Sequence, residues 1–222
     1  MRVLLADHFP LNGPRGPTYT RLLAEALIDL GHAAAAVVVD DKVAAEPEAF
    51  PVRRVICKAG YPQADLAFGL PTFSSTALDQ TSFETLSDRQ LSDYRHVLRR
   101  ALDDVVDKFN PDIIHAQHIW VLGQLALETG VPYVLTAWPE ELRAVADARY
   151  RALADQAADN AGRIFVADCD LAAMVLASFE GAAERNIVAL DSTGSGNGEP
   201  MDVSMRDTIV AGYQEVLQQR FG

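Results

Sequence analysis

The chain has 222 residues, 49% of them apolar and 23% charged, which is enough to bury the core of one large domain. Its formal charge of −12 favours solubility and opposes close approach to nucleic acid or anionic lipid, so neither is expected as a partner. No uninterrupted apolar run is longer than Ala33 to Val39, far below the roughly 20 residues that span a bilayer.

The amino-terminal stretch MRVLLADHF meets a charge at Asp7 too early for a secretory signal. Arg2 to Ala6 reads as a buried strand, followed by a loop punctuated by Gly13, Arg15 and Gly16, with Pro17 opening a helix. Leu22, Leu23, Ala26, Leu27 and Leu30 repeat at helical spacing, and Gly31 ends that helix. A glycine-bearing turn before a helix can cradle an anion. GPRGP does not match GxGxxG, however, and a tight strand-to-helix turn explains it as well.

Strands are predicted at Ala33 to Val39 and Val52 to Cys57, then an irregular excursion from Lys58 to Glu84 with one short strand near Ala67. Ser87-x-x-Gln90 is a capping box, and Leu91, Tyr94, Leu98, Leu102 and Val105 mark the buried face of a long helix to Phe109. The stretch NPDIIHAQHIWVLGQLALETGVPYVLTAW comes next. It predicts a strand at Ile113 and Ile114, a loop carrying His115 and His118, a helix from Trp120 to about Glu128, and a parallel strand from Pro132 to Thr136. Such a unit builds an open sheet whose ligands sit beyond the carboxyl ends of the strands, where His115, His118 and Trp138 fall.

Glu140 to Asn160 is alanine-rich and helical, Arg163 to Ala167 is a strand, Asp170 is a candidate cap for a helix to Phe179, and Asn186 to Leu190 is a last strand. The fold class is therefore α/β: a Rossmann-like, doubly wound, mostly parallel sheet over residues 1–190. Residues 191–200, DSTGSGNGEP, read as a flexible linker. In 201–222, Ile209, Val210, Tyr213, Val216, Leu217 and Phe221 form one apolar stripe of a helix capped near Ser204, expected to pack back on the domain.

Four stretches, RVLLADHFP…YTRLLAEALIDLGH, PDIIHAQHIW, GVPYVLTAW and RIFVADCDLAAMVLASF with NIVAL, give the chain its resemblance to the amino-terminal, acceptor-side domain of glycosyltransferase family 4, enzymes of the two-domain GT-B fold. The carboxyl-terminal helix resembles the one with which that family returns to its first domain after a whole donor-binding domain. The resemblance implies a chain whose donor domain is missing and whose ends are rejoined, by engineering or natural decay. It would be the acceptor-binding half of a retaining, nucleotide-sugar-dependent transferase, not catalytically competent alone. The nucleotide sugar would enter only with the missing domain, a possible partner, and this chain would hold no cofactor. The acceptor would be a sugar, a sugar phosphate or another small hydroxylated molecule.

The resemblance also implies roles at the cleft. Gly13, Arg15 and Gly16 match the family's glycine loop, and Arg15 could pair with an anionic acceptor group, or simply be a solvent-exposed arginine on a turn. His115 and His118 would hydrogen-bond acceptor hydroxyls, the alternative being histidines satisfied by backbone. Trp138 stands where family members commonly carry histidine, which places catalysis in doubt. Trp120 and Trp138 could stack on sugars or belong to the core. HxxH lacks the further ligands that zinc needs, so no metal is expected. Two distant cysteines, Cys57 and Cys169, fit a reducing, cytoplasmic setting. A reading from another class is a non-catalytic α/β binding or scaffold module, designed or degenerate, that keeps the fold only.

Overall fold

The computed structural model describes residues 1–13, 16–42, 48–73, 81–144, 147–190 and 201–221. Among them, seven strands form one parallel sheet: β1 (Arg2–Asp7), β2 (Ala33–Asp40), β3 (Val52–Ile56), β4 (Ile113–Ala116), β5 (Tyr133–Thr136), β6 (Ile164–Val166) and β7 (Ile187–Ala189). Their order across the sheet is β3-β2-β1-β4-β5-β6-β7. The register sets Leu5 opposite Ala36 on one side and His115 on the other. This is the expected Rossmann-like, doubly wound arrangement.

The winding follows from handedness. Parallel strands are joined by right-handed crossovers, so a connection running one way along the sheet must cover one face and a connection running the other way must cover the opposite face. The link from β1 to β2 carries helix α1 (Tyr19–Asp29). Its Leu22, Leu23 and Leu27 pack on the face presenting Val3, Leu5, Ala34, Ala36 and Val38. The link from β2 to β3 runs the same way, with Phe50 on that face, and the crossovers after β3 run the other way, through α2 (Asp88–Phe109), α3 (Leu122–Thr129), α5 (Ala148–Asn160) and α6 (Cys169–Ser178). They bury the opposite face, with Leu4, Ala6, Val37, Ile114, Leu135 and Val166.

That winding would leave Ile113, Val134 and Phe165 bare beyond α1. The last helix, α7 (Val203–Phe221), covers them with Met205, Ile209, Tyr213 and Val216. The approach is close: a Cβ on Gly212 would sit 2.7 Å from Phe165 Cζ, and one on Gly162 2.6 Å from Val216 Cγ2. Val210 and Leu217 lie at the edge of this contact, while the side chain of Phe221 and the whole of 191–200 lie outside the described residues.

Several boundaries differ from expectation for local reasons. Pro17 does not open α1, because it pairs with Asn12 in a two-residue antiparallel ladder and Thr18 becomes the residue before the helix. The cap of α6 is Asp168 rather than Asp170: Asp168 Oδ1 accepts from Leu171 N at 2.8 Å. At α7, Asp202 Oδ1 takes the amides of Ser204 and Met205 at 2.8 and 3.2 Å, so the candidate Ser204 is already helical. The stretch after Pro139 is two helices, α4 (Pro139–Ala144) and α5, with Asp147 capping the second through Arg149 N at 2.9 Å. The strand near Ala67 is a single bridge between Leu66 and Cys57. The capping box of Ser87 and Gln90 forms as expected.

The closeness of α7 gives a direct test. Gly212→Ala forces a methyl into Phe165, and overpacking of this kind costs about 1–3 kcal/mol. For a chain of this length the melting temperature should fall by several degrees, at roughly 2–4 °C per kcal/mol. An unchanged melt would mean that α7 does not hold this contact.

Candidate functional site

The strand order reverses between β1 and β4, so the loops after these strands part to opposite faces and leave a crevice at their carboxyl ends. A cleft of about 850 Å³ occupies this place. Its floor is Asp7, the last residue of β1, and His118, two residues beyond β4. Phe9 and Pro10 follow β1, Tyr19 opens α1, and Trp138 and Glu140 follow β5. Asn12 and Gly13 come from the loop before α1, Asp41 and Lys42 from the end of β2, and Leu70, Thr72 and Thr81 from the long excursion after β3.

The floor is a buried polar cluster. Asp7 accepts from Thr20 Oγ1 at 2.5 Å and from Phe9 N at 3.1 Å. Burial nonetheless lifts its carboxyl to about 6. His118 lies between two acids: Nε2 is 3.8 Å from Asp7 Oδ1 and Nδ1 is 3.8 Å from Glu141 Oε2. Neither distance is a hydrogen bond, and Nδ1 is buried without a partner. Burial, reinforced by the neighbouring His8, holds the imidazole neutral, well below its usual range.

Glu141 joins two loops. Its Oε2 accepts from Ile119 N at 2.8 Å and its Oε1 from Trp138 N at 2.9 Å. One carboxyl thus fixes the loop after β4 to the loop after β5. It is fully buried, and desolvation raises it to about 8 despite those bonds. Behind His118, His8 Nε2–H faces the Trp120 carbonyl at 3.4 Å, which leaves Nδ1 to accept from the Tyr94 hydroxyl at 2.7 Å. Burial pushes His8 down to about 3. The chain then turns into α3 through Val121 at φ 53° and ψ −66°, a positive-φ conformation that costs a β-branched residue energy and persists only where the surroundings impose it.

Of the six residues singled out from sequence, Gly13, His118 and Trp138 come together on the cleft. His115 does not join them. It sits one position before the end of β4 with its ring on the α7 face, Nδ1 2.6 Å from the Tyr213 hydroxyl and Nε2 2.7 Å from Thr136 Oγ1, fully buried. Gly16 pairs with Gly13 in the short ladder, and Arg15 lies outside the described residues. Trp120 is core, stacked on Tyr150 at 4.3 Å, whereas Trp138 is half-buried with its ring edge to face with Tyr19 at 5.5 Å. Sequence reasoning gave no role to Asp7, Phe9, Lys42, Leu70 or Glu141. The position of Asp7, Phe9 and Lys42 at or just past strand ends was the available signal. Among the described residues no group of three or more His, Cys, Asp or Glu side chains is placed to hold a metal ion, and no helix is long and apolar enough to cross a membrane.

The buried groups set a pH dependence. Asp7 and Glu141, raised from 3.8 and 4.5, stabilise the fold below those values, and that contribution is lost as pH rises to about 6 and about 8. His8, His115 and His118, lowered from 6.5, stabilise it above 6.5, and that contribution is lost as pH falls. Between about pH 4.5 and 6 the three histidines outweigh the two acids, so stability rises with pH. From 6.5 to 8 Glu141 acts alone and stability falls, at about 1.4 kcal/mol per pH unit for one proton. Denaturant melts from pH 5 to 8.5 should peak near 6.5, and Glu141→Gln should remove the alkaline decline. A flat wild-type profile from 6.5 to 8 would contradict the assignment of Glu141 as a neutral buried acid.

The family model described as a glycosyl transferase 4-like domain matches residues 16–190. No curated protein sequence matches the chain. Among solved structures it is similar to a piece of sucrose-phosphate synthase from Thermosynechococcus elongatus, named by stretches 27–220 and 406–426, at 14% identity and TM-score 0.56, covering 100% of both chains. Against sucrose-phosphate synthase itself from that organism the TM-score is again 0.56, at 14% identity, with 85% of this chain and 47% of that one covered. UDP-GlcNAc 2-epimerase from Methanocaldococcus jannaschii is similar at 10% identity and TM-score 0.53, over 97% of this chain and 49% of that one. The chain thus spans about half the length of these two enzymes.

Proposed function

The chain belongs to the glycosyl transferase 4-like domain family, and on that premise we propose that it is the acceptor-binding half of a retaining, nucleotide-sugar-dependent glycosyltransferase. The observation that carries this reading is the cleft at the reversal of strand order, floored by the buried Asp7 and His118 and walled by Tyr19 and Trp138. Buried polar groups surrounded by aromatic faces suit a hydroxylated ligand: the ring faces take its C–H surface, and a neutral imidazole and a carboxyl take its hydroxyls. In this role Gly13, Gly16 and the Arg15 loop would border the acceptor, His118 would orient its hydroxyl, and Trp138 would stack on it. His115 would act at one remove, fixing Thr136 and α7 rather than touching ligand.

The donor would be held by a second domain. We read 191–200 as the join that replaces that domain and α7 as its returning helix. The two-stretch piece of sucrose-phosphate synthase, matched over its whole length, supports this arrangement. A reducing, cytoplasmic setting agrees with Cys57 and Cys169 as free thiols. Trp138 also favours a second reading, a binding module that keeps the fold without the chemistry.

Without a group to orient the donor or to stabilise charge on its leaving phosphate, the isolated chain should show no protein-dependent transfer from any nucleotide sugar. Steady turnover at low enzyme concentration would overturn that statement. The acceptor site is tested by an NMR titration with methyl β-D-glucoside. Shifts should map to the carboxyl ends of β1, β4 and β5, with affinity around millimolar because half the contacts are absent. His118→Ala should weaken binding about fivefold, the worth of one net hydrogen bond of about 1 kcal/mol. Shifts at the amino-terminal edge of the strands would remove the assignment.

A further inference from the structure

Resting on the acceptor reading above, we infer that the acceptor is an uncharged amphiphile, with a hydroxyl placed at Asp7 and His118 and an apolar aryl or alkyl body laid along Phe9, Pro10 and Leu70. The first ground is length. The cleft runs from Lys42, past the end of β2, across β1 and β4 to Trp138, past the end of β5. That is three strand spacings, about 14 Å. A volume of about 850 Å³ lies near the upper end of the roughly 300–1,000 Å³ that hold drug-sized ligands. One pyranose ring leaves most of it unfilled.

The second ground is what the remaining space is made of. Phe9, Pro10 and Leu70 are half-buried and turn apolar surface to the cleft. Phe9 meets both Phe73, three residues beyond Leu70, and His118 edge to face at 5.7 Å, and those two rings lie 4.7 Å from each other. The apolar wall is therefore continuous with the polar floor. A second sugar laid over Pro10 and Leu70 would lose hydration from its hydroxyls without gaining partners, which costs free energy. A hydrocarbon or aromatic body there gains by leaving water.

The third ground is charge. Among the described lining residues Asp41 and Glu140 are exposed acids, Asp7 is a buried one, and Lys42 is the single base. Beside these described residues a phosphate or carboxylate would meet more repulsion than attraction.

The test compares methyl β-D-glucoside, phenyl β-D-glucoside and glucose 6-phosphate by NMR titration of the whole chain. The phenyl compound should bind at least tenfold tighter than the methyl one, with added shifts at Phe9 and Leu70, and glucose 6-phosphate should bind more weakly than either. Leu70→Asn should erase the phenyl gain while leaving methyl glucoside affinity unchanged. The milder Leu70→Ala, which introduces no polar atom, should lose part of it. Methyl and phenyl glucosides of equal affinity, a tighter glucose 6-phosphate, or a phenyl gain that survives Leu70→Asn would overturn the inference and leave the acceptor reading standing. Absence of binding by all three would overturn both.

Discussion

The handedness of parallel crossovers governs this molecule. Because α1 and the link to β3 run toward one edge of the sheet while every crossover after β3 runs outward to β7, the two halves of the sheet are covered on opposite faces. Two consequences follow. At the point of reversal the flanking loops diverge and leave a crevice above β1 and β4. On the outward half, one face has no helix of its own, and α7 lies over it, close enough that Gly162 and Gly212 have no room for a side chain.

His115 ties these consequences together. In an otherwise apolar layer it bonds Tyr213 of α7 with one nitrogen and Thr136, at the end of β5, with the other. Two residues on from Thr136 is Trp138, the wall of the cleft, whose amide is held by Glu141. The covering helix and the site are therefore joined through one strand end. The site itself is built from groups kept out of water: Asp7, His118 and Glu141 are each moved toward the neutral form by burial. A neutral imidazole beside a buried carboxyl suits hydroxyls, which accords with a described lining in which Lys42 is the single base.

Much of the fold was legible. Runs such as AAAAVVVD and YVLT, apolar without alternation, announce strands covered on both faces, and the stripe of Ile209, Tyr213 and Val216 announced a packed helix. Caps were less legible where acids stand close together: Asp168 and Asp170 differ only in which one reaches Leu171 N. The site was half legible. His118 and Trp138 were found because they follow strands, but His115 was grouped with His118 although it still lies within β4, where alternation turns its ring to the helix face. The length of a four-residue strand decides between those roles, and sequence does not fix it to one residue. Leu70, Thr72 and Lys42 reach the cleft from distant loops, and no local pattern marks them. Nor does local pattern distinguish Glu141, fully buried, from its exposed neighbour Glu140.

The central claim is that ligand enters at the reversal of strand order and engages a floor clamped by Glu141. Amide hydrogen exchange, with and without a saturating neutral hydroxylated ligand, tests it most directly. The account predicts added protection at Phe9, Gly13, Ile119 and Trp138, with the amino-terminal edge at Asp112, Gly130 and Val131 unchanged. Protection confined to that opposite edge, or spread evenly over the sheet, would contradict it.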